Sequence, residues 1–191
     1  MLYHNCFTHH LHFTIASNYG EMDPGSWASI LQNHLSSDLA AGKGVFYDLG
    51  SGRGQLVFHT AIQTRCCKAV GVELSAKRHS MAITALAECK TLHPGLQTSI
   101  ELRKEDVRST DISDATVIYI MNQDMPRKLS EFLWRERILQ IEHPVLVLTL
   151  VRFRLSEGAS PQPVTTITCR QTWSGNQEVP LHLYRHPGRE R

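Results

Sequence analysis

The chain has 191 residues, 41% of them apolar, and a formal charge of +2. That length fits one domain with a sizeable core, and so balanced a charge excludes a global pull toward nucleic acid or membrane. The five cysteines, Cys6, Cys66, Cys67, Cys89 and Cys169, are odd in number and lack metal-ligand spacing, which predicts free thiols, a reducing compartment and no metal site.

Residues 1–18 show no clean period and read as an amino-terminal arm. It carries His4, His9, His10 and His12, without the basic start and apolar run of a signal peptide. No later run is long enough to span a bilayer, so a soluble intracellular protein is expected. Asn18 to Pro24 is turn-rich, with Pro24 suited to a first helical position after Asp23. Trp27, Ile30, Leu31, His34 and Leu35 then mark an amphipathic helix, broken by Ala40 to Gly44. Val45 to Leu49 is a short apolar run, as expected for a strand covered on both faces. Asp48 interrupts it at the carboxyl edge, where open α/β sheets place ligands. Gly50, Gly52 and Gly54 allow a sharp turn, and from Gln55 the pattern Leu56, Val57, Ala61, Ile62 is helical. Ala69 to Val72 is a second strand, closed by Glu73. Ser75 can cap a helix to about residue 90, with Met81, Ile83, Leu86 and Ala87 predicted on its buried side. Thr98 to Leu102 is a third strand and Ala115 to Met121 a fourth. A helix holding Leu129, Phe132, Leu133 and Ile138 follows Asn122–Pro126. Pro144 to Val151 is a fifth strand. After the loop Ser156 to Pro163, the segments Val164–Trp173 and Glu178–Tyr184 read as an antiparallel pair. The tail from Arg185 is mildly basic.

The glycine turn separates three cofactor classes. A dinucleotide fingerprint wants glycine at its first, third and sixth positions, and the sixth here is Gln55. A phosphate-binding loop wants Gly-Lys-Ser/Thr, which is absent. Asp48 followed by Gly-x-Gly-x-Gly fits S-adenosylmethionine, with Glu73 placed to accept from a ribose. Together these segments look like a class I S-adenosylmethionine-dependent methyltransferase. That is an α/β, Rossmann-like, seven-strand sheet with helices on both faces and a carboxyl-terminal antiparallel strand pair.

Tyr19-Gly20-Glu21, Asp48-Leu49-Gly50-Ser51-Gly52-x-Gly54-Gln55, Gly71-Val72-Glu73, Val117-Ile118-Tyr119-Ile120-x-Asn122 and Trp173-Ser174-Gly175 occur in that order. This set resembles the disruptor-of-telomeric-silencing family of non-SET histone H3 lysine methyltransferases, over roughly residues 18–186. The resemblance implies a domain over residues 19–191 that transfers methyl from S-adenosylmethionine to a lysine of the nucleosome core, in the nucleus. It implies a cofactor site of Tyr19, Gly20, Glu21, Asp48, Gly50, Gly52, Gln55, Glu73, Asp106 and Asn122. Asn122 and Trp173 would stand beside the acceptor lysine. Asp106 also reads as an ordinary loop acid, Asn122 as a strand-end turn residue, and Trp173 as a core filler between the last strands. Histone H3 within nucleosomes is the implied partner, with nucleosomal DNA contacts for which Arg185, Arg189 and Arg191 are candidates. The chain departs from the family pattern at Met22, at Gln123 to Pro126 and at Leu181. Two other functions therefore stay open: a class I methyltransferase for another protein, nucleic acid or small molecule, and an inactive fold that binds chromatin.

Overall fold

The structure, a computed structural model, describes residues 21–40 and 42–189. The arm at 1–18, with Tyr19, Gly20 and Arg191, lies outside the described residues. In chain order the elements are α1 (Pro24–His34), β1 (Val45–Leu49), α2 (Gln55–Gln63), β2 (Lys68–Val72) and α3 (Ala76–Leu92). Then come β3 (Ser99–Arg103), β4 (Val117–Ile120), α4 (Arg127–Phe132), β5 (Val145–Thr149), β6 (Thr165–Arg170) and β7 (Glu178–His186). All seven strands form one sheet in the order β3-β2-β1-β4-β5-β7-β6. The first five run parallel, and β7 is antiparallel to both of its neighbours. The chain leaves β1 toward β2 and β3, then returns to place β4 on the other side of β1. That reversal opens a crevice at the carboxyl ends of β1 and β4, the place where such sheets bind ligands.

The central strands β1, β2, β4 and β5 are buried on both faces, and their side chains sort by alternation. Phe46 packs with Trp27, Leu56, Val57 and Tyr119, whereas Tyr47 packs with Val70, Ile118, Leu133 and Trp134 on the opposite face. A continuous apolar run in the sequence thus serves two separate cores. Asp23 caps α1 by accepting from the Ser26 amide at 2.8 Å, and Ser75 caps α3 by accepting from Arg78 at 3.4 Å. The buried Trp27 indole donates to Thr60 Oγ at 3.0 Å, tying α1 to α2 with its polar atom satisfied.

Three expectations about helices change. His34 is exposed at the end of α1. On α3 the buried residues are Ala82, Ala85 and Cys89, while Ile83 is 47% exposed and Ala87 faces water. Small side chains let this helix lie close to Phe58, so the larger Ile83 is turned outward. The helix after Pro126 is not continuous: α4 passes into a π turn at Leu133–Arg137 and a 3-10 turn at Ile138–Gln140. Widening the turn brings Leu133 and Ile138, five residues apart, onto the same core face with no exposure.

Candidate active site

A cavity of about 970 Å³ occupies the crevice. Its floor is the end of β1 and the turn after it. Gly50, Gly52 and Gly54 have φ of 95°, 55° and 82°, a region other residues enter at a cost. At Gly50 and Gly52 no atom lies within 4 Å of where a Cβ would stand, so the backbone there is open to a ligand. Gly71, paired with Asp48 across the strands, is needed for a different reason. A Cβ on it would come within 2.8 Å of Ser51 Oγ and 3.0 Å of Val57.

Asp48 is 4% exposed on the cavity wall, and no described residue donates a hydrogen bond to its carboxylate. Burial first, then repulsion from Glu73 and Glu21, pushes its pKa up to about 8. The other two acids are neutralised. Glu21 takes two hydrogen bonds from Arg53, from Nε at 3.0 Å and from Nη2 at 2.8 Å. Glu73 accepts from Arg78 at 2.7 Å, the Ser75 amide at 2.7 Å and the Gly52 amide at 3.0 Å. Asp48 is therefore the buried acid of the site that is left uncompensated among the described residues, and a cation bound there would restore its ordinary ionised form.

Glu21 also joins two parts of the site. Its backbone pairs with Thr172, the Glu21 amide donating to Thr172 Oγ at 3.0 Å and its carbonyl accepting from the Thr172 amide at 2.8 Å. Met22 bridges to Gln171 and the Asp23 amide donates to Arg170, so residues 21–23 lie antiparallel along the end of β6. Gln55 lines the cavity, and its buried Oε1 has no hydrogen-bond partner among the described residues. Leu74, Met81, Val107, Leu129 and Phe132 form an apolar wall, and Tyr119, Met121 and Met125 stand at the end of β4.

The remaining expected residues stand apart from this cluster. Asp106 lines the cavity, but its carboxylate grips Arg108, which holds its pKa down at about 2. Asn122 is 4% exposed and does not line the cavity. Its amide is spent on one partner: Nδ2 donates to the Val151 carbonyl and Oδ1 accepts from the Val151 amide, each at 2.8 Å. Trp173 is 46% exposed in the turn after β6, which rules out the core-filling role, and it is not on the cavity wall. Arg53, Arg78 and Tyr119 were not singled out as cofactor ligands by sequence. Arg53 lies inside the glycine turn in plain view, but its pairing with Glu21 spans 32 residues and exists only in the fold.

The residues fit S-adenosylmethionine. An open backbone cradle, a buried carboxylate in need of a cation, an unpartnered amide oxygen and an apolar wall match its amino-acid end, its positive charge and its flat base. Among the described residues no cluster of three metal-ligating side chains occurs, and no helix is long and apolar enough to cross a membrane.

Fold and crevice together define a class I methyltransferase fold. An RNA methyltransferase from Salinibacter ruber, solved with S-adenosyl-L-homocysteine, superposes with a TM-score of 0.61 at 20% identity, over 85% of this chain and 93% of that one. The family is fixed by sequence: the model of the histone methylation protein DOT1 family matches residues 4–160, and the chain belongs to that family. A Caenorhabditis elegans protein, histone-lysine N-methyltransferase, H3 lysine-79 specific, is 46% identical over 68 residues. That match takes in 35% of this chain and 7% of the relative's length.

Proposed function

We propose that this chain is an S-adenosylmethionine-dependent N-methyltransferase whose acceptor is a lysine amine of histone H3 in the nucleosome. The observation that carries the reading is Asp48, a buried, uncompensated carboxylate beside an open glycine cradle at the switch point of the sheet. Membership of the histone methylation family supports the acceptor and a nuclear location.

When bound, the cofactor supplies an electrophilic methyl group open to in-line attack. The chain's part is to hold and to align. Asp48 takes the cationic end, Gly50 and Gly52 let the backbone come close, and Glu73 keeps one carboxylate lone pair for a ribose hydroxyl after its three hydrogen bonds. Leu74, Val107 and Phe132 enclose the base. The acceptor enters at the end of β4, beside Tyr119 and Met121. A lysine must be neutral to attack, and removing its proton at pH 7 costs roughly 4–5 kcal/mol from a reference pKa of about 10.4. An apolar entrance beside a cationic ligand disfavours the ammonium and lowers that cost. Asn122 serves as a positioning residue, fixing the end of β5 against the end of β4 through Val151.

Contacts to nucleosomal DNA belong to the same reading, at a place the sequence did not suggest. Arg185 is ion-paired with Asp38, and Arg189 donates a hydrogen bond to the neutral Gln140 amide, so the Arg185 charge is compensated within the fold. Arg127, Lys128, Arg152 and Arg154 are exposed and make no ion pair among the described residues, and Arg127 donates to the Arg154 and Leu155 carbonyls. Lys128 is on the cavity wall, so this basic edge borders the entrance.

A second reading, a chromatin-binding protein that keeps the fold without the transfer, draws support from the occupied amide of Asn122 and from Trp173 standing off the cavity. Labelled S-adenosylmethionine offered to nucleosomes, free histones and nucleic acid separates the cases. Label on H3 in nucleosomes is the expected result. Label on nucleic acid moves the acceptor class, and tight cofactor binding with no label selects the second reading.

A further inference from the structure

Arg53 stands between two glycines of positive φ, at the crest of the turn that forms the cavity floor. Its guanidinium gives Nε and Nη2 to Glu21, and its Nη1 is buried with no hydrogen-bond partner among the described residues. Leaving a charged nitrogen buried and unmatched is costly, which implies a further partner for this group. The surroundings say what that partner carries. Glu21, Asp48 and Glu73 put three carboxylates around this end of the cavity, and Arg78 is committed to Glu73. A ligand whose amino-acid end brings a carboxylate of its own into that field needs a cation on the glycine turn. Arg53 is the cation there.

We propose that Arg53 is a specificity-determining ligand for the α-carboxylate of the cofactor, while Asp48 and Glu21 face its positive charges. The assignment rests on the reading of the cavity as an S-adenosylmethionine site. It makes the site selective for cofactors with an intact amino-acid end, and it ties that selectivity to the segment over the turn. One guanidinium holds Glu21 with one edge and the ligand with the other. Because Glu21 is stitched to Thr172, the same residue links cofactor occupancy to the turn that carries Trp173.

The test is a cycle between one side chain and one ligand group, read by calorimetry. S-adenosylmethionine and S-adenosylhomocysteine are compared with decarboxylated S-adenosylmethionine, which keeps the amine and loses the carboxylate. R53M keeps the length of the side chain and removes its charge. It should weaken both carboxylate-bearing ligands by roughly 10–100-fold and the decarboxylated one by about threefold or less. An equal loss for all three ligands would mean that Arg53 acts only by holding Glu21, and no loss would mean that it acts on neither; each overturns the assignment. Should R53M fail to fold by circular dichroism, R53K serves instead, with the same selective loss expected at smaller size and an equal loss again overturning it. If the unaltered protein binds none of the three, the cofactor reading itself has failed and the assignment falls with it.

Discussion

Replacing Asn122 by alanine removes both halves of a reciprocal contact in a residue that is 4% exposed. The two hydrogen bonds, each 2.8 Å long, contribute roughly 0.5–1.5 kcal/mol apiece. The Val151 carbonyl keeps a second donor, Thr149 Oγ at 3.0 Å, but its amide is left with no partner among the described residues. Val151 is 42% exposed, so water can reach that amide and its extra cost falls toward the low end of about 1–3 kcal/mol. The sum is about 2–4 kcal/mol. For a chain of this size that corresponds to a fall in Tm of roughly 5–15 °C. Urea denaturation followed by circular dichroism measures it, with S-adenosylhomocysteine binding measured alongside. Because the amide does not line the cavity, the cofactor Kd should move by about threefold or less while methyl transfer falls. Asn122→Asp sharpens the test. It keeps an acceptor for the Val151 amide but sets a carboxylate against the Val151 carbonyl, so it should be less stable than the alanine variant at pH 7. It should recover below about pH 4, where the side chain is protonated and can donate again. An unchanged midpoint in Asn122→Ala refutes the clamp. An unchanged transfer rate with cofactor binding intact refutes the positioning role.

Three further outcomes follow from the same geometry. Asp48 has its pKa raised from 3.8 to about 8, so the folded chain holds a proton that the unfolded chain gives up, and stability should fall as pH climbs from about 4 to about 8. A cationic cofactor needs the ionised form, so its affinity should rise by up to tenfold per unit toward pH 8 and then level off. Asp48→Asn should flatten both profiles, and a pH-independent Kd in the unaltered protein counts against the charge match. Gly71→Ala places a methyl 2.8 Å from Ser51 Oγ and 3.0 Å from Val57, and overpacking of that kind costs about 1–3 kcal/mol. Denaturation should show that loss together with weaker cofactor binding, because Ser51 is part of the glycine turn; a neutral outcome would mean the turn is free to shift. Charge reversal at Lys128, Arg152 and Arg154 should weaken nucleosome binding and flatten its salt dependence, while the same change at Arg185 should not. Equal effects at both places would refute the assignment of the basic edge.

Most of the architecture was legible because local chemistry and global fold agree. The β1 run, the three glycines and the start of α2 predicted a strand, a turn and a helix, and the dihedrals at Gly50, Gly52 and Gly54 have the sign that turn requires. The caps at Asp23 and Ser75 depend on neighbours three residues away, so sequence suffices for them. The failures have a common origin. Which face of α3 turns inward depends on Phe58 and the sheet beneath it, and the predicted face with Ile83 lost to the smaller Ala82, Ala85 and Cys89. The break after Phe132 follows from the spacing of Leu133 and Ile138 over a core that no local window contains.

For the site the division is similar. The sequence by itself determined the fold class and the residues that border the cavity along one continuous stretch, Asp48 to Gln55, since a cradle built by adjacent residues is written in their order. It also placed Glu73, one strand away at the same sheet edge. Only the tertiary structure decided how those charges are shared. Glu21 reaches Arg53 across 32 positions, Asn122 turns to Val151 across 29, and Arg185 is taken up by Asp38 across 147. Residue type says what a side chain can bind. Which partner it meets depends on the path of the chain through the sheet, and at this site that path leaves Asp48 buried with no donor among the described residues.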